Sequence, residues 1–200
     1  MYSSKKSNKL NLAQVISFIF NPFHWFALLN IVAYLILRFP IRILLILLVL
    51  QYVCPTLTMY LGKRFRVISD YEVTKRNERW YFISMLLIVS FLSALSSGNY
   101  LFLMILNVSF FISALVLGIV TMIFKWKMSG HMLFDALLFL AFTRLTFFTF
   151  PLLFALPFIG KSRIKLMKHT TNQVIAGTLV GLIIYTIVYI YYYMIFTVIL

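Results

Sequence analysis

The chain has 200 residues, of which 63 % are hydrophobic and only 11 % charged. Soluble proteins carry roughly 25 % charged residues, so an ordinary soluble domain is excluded. Lys and Arg give a formal net charge of +14, but they are scattered between apolar runs, the habit of membrane-protein loops, and this argues against a nucleic-acid partner. The single cysteine, Cys54, rules out an intrachain disulfide framework.

Runs of about 20 apolar residues follow one another, the length needed to cross a bilayer as a helix. A spanning segment must satisfy its own backbone, so the expected fold is all-α. The reading is of one polytopic transmembrane domain over residues 1–200, with the lipid bilayer as its partner. Residues 1–9, with Lys5, Lys6 and Lys9, read as a polar head. Leu10 to Asn21 reads as a helix lying in the membrane interface, interrupted by Pro22. No small-residue cleavage site follows it, so it does not read as a signal peptide.

Spans are then expected over Phe23–Arg38, Ile41 to about Leu61 with a kink at Pro55, Trp80 to about Ser97, and Tyr100–Phe124. Lys63 to Arg79 is the longest polar stretch, and Ser97-Gly98-Asn99 is a turn. A second basic junction follows, Lys125-Trp-Lys-Met-Ser-Gly-His131. Met132 to Ile159 is apolar but broken by Arg144, Pro151 and Pro157. Read as a hairpin turning near Arg144, it returns the chain to the face that carries the basic junctions and gives a six-helix bundle. The third junction, a basic loop from Gly160, holds Arg163 and His169. Thr170-x-x-Gln173 is a capping-box pattern that opens the last helix, which would place His169 and Arg163 at its positive end, a setting that favours an anion. That helix carries Gly177-x-x-x-Gly181, a pattern for close helix packing, and interfacial tyrosines from Tyr189 to Tyr193.

Three basic junctions on one face, two of them bearing a histidine, resemble the type 2 phosphatidic acid phosphatase superfamily of membrane lipid phosphatases. Its three motifs are a Lys/Arg-rich segment ending in Arg, a Ser-Gly-His, and a Ser-Arg-x5-His-x3-Asp. Ser129-Gly130-His131 matches the second; Ser162-Arg163 and His169 match the third at its spacing. The first is looser: Lys75, Arg76 and Arg79 are present, but Glu72 stands in place of the motif's leading Lys, and Trp80 in place of its final Pro. The resemblance covers roughly residues 63 to 181.

It implies that His169 is a nucleophile forming a phospho-histidine and that His131 protonates the leaving oxygen and later activates water. Arg163, Arg79 and Lys75 or Arg76 would bind the phosphoryl oxygens, with Ser129 and the Gly130 backbone as neutral donors. No metal or cofactor is implied, and no His/Asp/Glu cluster at metal-ligand spacing is visible. Gln173 stands where the superfamily has Asp: it either orients His169 or simply caps the helix. Asp135, four residues after His131, either orients that histidine or meets a basic side chain and fixes packing. The expected substrate is a lipid phosphate monoester or diphosphate of the phosphatidic acid, phosphatidylglycerol-phosphate or isoprenyl diphosphate type. The alternative is a non-catalytic lipid-phosphate binding or scaffold protein, motivated by the missing Asp and the imperfect first motif. A transporter has only Asp135 and Arg144 as charges within apolar runs. Apart from Arg38, Arg42 and Arg144, all 18 Lys and Arg fall on the motif-bearing face, which points that face to the cytoplasm.

Overall fold

A computed structural model describes residues 11–71 and 73–199, with side chains through 195. The basic head and Glu72 lie outside the described residues. Everything described is helix or short connection: α1 Leu12–Ile19, α2 Pro22–Leu37, α3 Ile41–Arg64, α4 Arg79–Ser96, α5 Leu101–Ile123, α6 Gly130–Leu145, α7 Leu156–Lys165 and α8 Thr171–Ile199. The all-α polytopic bundle expected from the apolar runs is present. Five helical runs are long and apolar enough to cross a membrane, and the bent pair α1–α2 makes a sixth if counted as one span. The sequence reading's total of six is an undercount, since its four spans, two hairpin arms and last helix make seven segments. Here α6, at 16 residues, extends only about 24 Å at 1.5 Å per residue and is shorter than a hydrocarbon core.

The boundaries have local causes. Asn11 and Gln14 form a capping box on α1, and the Asn21 side chain caps α2, whose first residue is Pro22. Proline costs nothing there, because its missing N–H would be unpaired anyway. Trp25 Nε1 donates to the Ile19 carbonyl at 3.1 Å and its ring stacks on Phe20, which fixes the bend. Within α3 the expected distortion at Pro55 takes the form of a π-helical turn, Val49–Val53, immediately before it. The turn re-satisfies a ladder that proline interrupts. It also aims Gln51 inward. Asn30 Nδ2 donates to Gln51 Oε1 (2.8 Å), Gln51 Nε2 to Asn107 Oδ1 (2.6 Å), and Asn107 Nδ2 to Ser97 Oγ (2.8 Å), tying four segments together away from water. Such bonds contribute on the order of 1 kcal/mol each in a membrane.

The hairpin turn expected near Arg144 falls at Thr146, whose backbone is extended, and a 3-10 segment, Phe147–Ala155, then leads into α7. That segment packs back along α6. Arg144 stacks 4.4 Å above the ring of Tyr189, not on Asp135. Gly160–Lys165, expected to begin a loop, instead ends α7. The central element is α6, with every residue from Met132 to Phe139 buried. Its main partner is α8, and the Gly177/Gly181 pattern explains the closeness. A Cβ on Gly177 would sit 2.5 Å from the Ser129 carbonyl oxygen, and one on Gly181 would overlap that of Leu133.

Candidate functional site

The approach of α8 to α6 brings the second and third junctions together. Ser129 is the N-cap of α6, its hydroxyl accepting from the Met132 amide at 3.5 Å. Its own amide donates to the Gln173 carbonyl at 3.2 Å, so the start of α6 is pinned to the first turn of α8. Gly130 and His131 follow in the first turn of α6. On the other side, α7 ends in a tight turn. The Met167 and Lys168 amides bond back to the Ile164 and Arg163 carbonyls at 2.8 and 3.1 Å, with Met167 left-handed at φ 55. This is the bonding pattern of a Schellman cap. Arg163 therefore lies in the last turn of α7 and His169 just before α8, not both at one helix start as the sequence reading has it.

One cavity of about 540 Å³ is lined by Arg79, Gly130, His131, Arg163, Lys168 and His169. Phe18, Phe23, Phe82, Ile83, Leu117 and Phe134 form apolar wall. No carboxylate is among the described lining residues. Arg79, Arg163 and His169 are buried. Arg79 is held by backbone carbonyls: its Nε donates to Val73 and its Nη1 to Met128, both at 3.3 Å. Three cationic side chains lining a single cavity, with burial weakening their screening, make a site for a multiply charged anion.

His169 Nδ1 lies 3.2 Å from Gln173 Oε1, and the same oxygen accepts from the Thr170 amide at 3.2 Å. Orienting the histidine and capping the helix, two readings kept open above, are thus carried by one atom. With an amide oxygen as its partner, Nδ1 is the donor and Nε2 keeps the lone pair. Burial, followed by the charges of Arg79, Arg163 and Lys127, pushes the His169 pKa down to about 3, opposed by the Gln173 bond. The imidazole is therefore neutral near pH 7 and available as a nucleophile. His131 Nε2 is buried with no hydrogen-bond partner.

Several expected residues stand elsewhere. Lys75 pairs with Glu78 at 3.5 Å and its side chain is 63 % exposed; Arg76 donates to the Lys125 carbonyl at 2.8 Å on the surface. The 3-10 turn Arg76–Glu78 sends both away from the cavity that Arg79 lines. The Ser129 hydroxyl caps α6 and does not line the cavity. Asp135 is fully buried, and among the described residues neither carboxylate oxygen has a hydrogen-bond partner, so no bond to His131 is made and no basic side chain is in direct contact.

Two cations went unnoticed in the sequence. Lys168 lines the cavity and donates to Thr74 Oγ1 at 3.0 Å. Lys127 is close enough for its charge to act on His169, and burial with the charges of Arg79, Lys168 and Arg163 lowers its own pKa. Both lie within two residues of a motif, which is the one signal that could have found them. No protein-family model, no curated protein and no solved structure matches the chain.

Proposed function

We propose that this chain is an integral-membrane lipid phosphatase, hydrolysing a phosphate monoester or diphosphate of a lipid through a phospho-histidine on His169. The observation that carries the reading is the amphiphilic cavity: Arg79, Arg163, Lys168 and both histidines line it together with four phenylalanines. A lipid phosphate has the same division. Phosphatidic acid, phosphatidylglycerol-phosphate and isoprenyl diphosphates all have it.

The cations hold the non-bridging oxygens and offset the charge that spreads over them in the transition state. His169 Nε2 attacks phosphorus while the bond to the lipid oxygen breaks. The departing oxygen takes a proton from His131, whose protonated form is favoured by the bound anion. Water then attacks the phospho-histidine, His131 accepts its proton, and inorganic phosphate leaves with His169 restored. The charge distribution of the loops favours a cytoplasmic site.

The second reading is a lipid-phosphate binding protein without turnover. It is favoured by Gln173, a neutral partner to His169 where a carboxylate would stabilise the charged intermediate. Purified protein in mixed micelles, assayed for phosphate release over a panel of lipid phosphates, separates the two. Release that disappears in His169→Ala, with phosphoryl-enzyme trapped in His131→Ala on a good leaving group, supports the enzyme. Binding with no release supports the second reading, and undiminished release by His169→Ala overturns the mechanism.

A further inference from the structure

The helix before the first full span has its faces reversed for a simple interfacial anchor. On α1, Leu12, Phe18 and Ile19 are 70 %, 70 % and 51 % exposed, while Ala13 and Ser17 are buried. Gln14 and Ser17 line the cavity; at a spacing of three they share one face. A membrane helix turns its polar side inward only where something polar waits for it. Here that is Arg163, whose Nη1 donates to Ser17 Oγ at 2.5 Å across 146 positions of chain. One residue of α1 thus touches the guanidinium of Arg163.

We infer that Ser17 is part of the phosphate subsite, fixing the guanidinium of Arg163 and donating its own hydroxyl proton to an oxygen of the bound phosphoryl group. The inference rests on the phosphatase reading of the cavity. A serine hydroxyl has one proton and two lone pairs. Accepting from Arg163 uses one lone pair and leaves the proton available on a residue that lines the cavity. The guanidinium is a planar fork whose value depends on its angle to the phosphate, and an oxygen at 2.5 Å restricts that angle. The roof is itself held in place: the α1 capping box fixes one end and the Trp25 bond to Ile19 the other. In this arrangement α1 completes the site, and Ser17 contributes to binding of the phosphoryl group in substrate and intermediate alike.

The test compares wild type with Ser17→Ala and Ser17→Thr in the full chain. It measures KM and kcat on a lipid phosphate, and inhibition by orthovanadate, which presents the same oxygens without a lipid tail. Ser17→Ala is expected to weaken vanadate inhibition and raise KM by about tenfold, the loss typical of a hydrogen bond to a charged group. Ser17→Thr keeps the hydroxyl and should recover most of both, with thermal stability unchanged across the three. Wild-type vanadate inhibition and KM retained in Ser17→Ala would overturn the inference, as would a Thr variant as impaired as Ala. A wild-type protein that neither turns over nor responds to vanadate overturns the phosphatase reading itself.

Discussion

His169 Nδ1 and the backbone amide of Thr170 share a single acceptor, Gln173 Oε1, each at 3.2 Å. The geometry fixes which ring nitrogen is left to react without placing a charge beside it. Gln173→Asp would replace the amide acceptor with a carboxylate one methylene shorter. It should preserve or raise the rate of phospho-enzyme formation. The sign of its pH effect follows from the His169 pKa of about 3. Activity requires the neutral ring, so in wild type protonation of His169 removes none of the rate between pH 7 and about pH 4. A neighbouring carboxylate favours the protonated form, so the acid limb of Gln173→Asp should move upward, toward neutrality. Rapid-quench measurements of phosphoryl-enzyme across pH check this. An acid limb that stays put, or moves down, contradicts the assignment of His169.

The cations divide into those that line or act on the cavity and those that only neighbour it in sequence. Arg79→Lys and Arg163→Lys should each lower kcat/KM by about 100-fold or more, because a point charge does not reproduce a guanidinium fork. Lys168→Ala and Lys127→Ala should cost about threefold to tenfold, chiefly in KM. Lys75→Ala and Arg76→Ala should remain within about twofold, since Lys75 is occupied by Glu78 and Arg76 by the Lys125 carbonyl on the surface. A loss at Lys75 or Arg76 comparable with that at Arg79 would mean that the 75–79 segment reorganises on binding.

The closeness of α6 and α8 is what brings the two histidines to one cavity, and two glycines set it. The Cβ of Gly177→Ala would arrive 2.5 Å from the backbone oxygen of Ser129, which cannot yield as a flexible side chain would. The helices must separate, and with them Ser129-Gly130-His131 and His169. Gly177→Ala and Gly181→Ala should each lower activity by about tenfold or more and reduce thermal stability. Gly130→Ala is the control: its nearest neighbour is a leucine methyl at 3.4 Å, an ordinary contact. Its amide donor is retained. It should fold like wild type, as read by size-exclusion and thermal scans in detergent.

What the sequence reveals and what it hides divide along physical lines. Spans are legible because twenty apolar residues have few other uses, and the pairing of α6 with α8 because Gly-x-x-x-Gly serves close approach. That His131, Arg163 and His169 line one cavity could be read from their spacing. Lys75 and Arg76 do not line that cavity, because a three-residue 3-10 turn, invisible to composition, separates them from Arg79. Asp135 follows His131 by one helical turn, yet sharing a helix face does not make a bond: among the described residues neither of its oxygens has a hydrogen-bond partner. Ser17 could not be found at all, since its contact with Arg163 joins the two ends of the chain and depends on how α1 folds over the bundle.

The hairpin carries the topology, and it can be tested without reference to activity. His131 and Arg144 occupy the first and last turns of α6, about 20 Å apart at 1.5 Å per residue. Among the described Lys and Arg, Arg38 and Arg42 flank the α2–α3 turn and Arg144 precedes the break at Thr146; the others lie in or beside the three basic junctions. Arg144 is held at its end by the ring of Tyr189, on the tyrosine-rich half of α8. If the hairpin crosses the membrane as proposed, residue 144 is expected on one side and residue 165, at the end of α7, on the other. With Cys54, the one native cysteine, replaced by Ser, single cysteines at 144 and 165 should react with an impermeant maleimide from opposite faces of sealed vesicles. Residue 165 should label from the cytoplasmic face, following the basic junctions. Labelling of both from one face would remove the hairpin, and with it the single site that joins His131 to His169. Opposite labelling with residue 165 on the outer face would keep the site and reverse its orientation, so that substrate would be drawn from the outer leaflet.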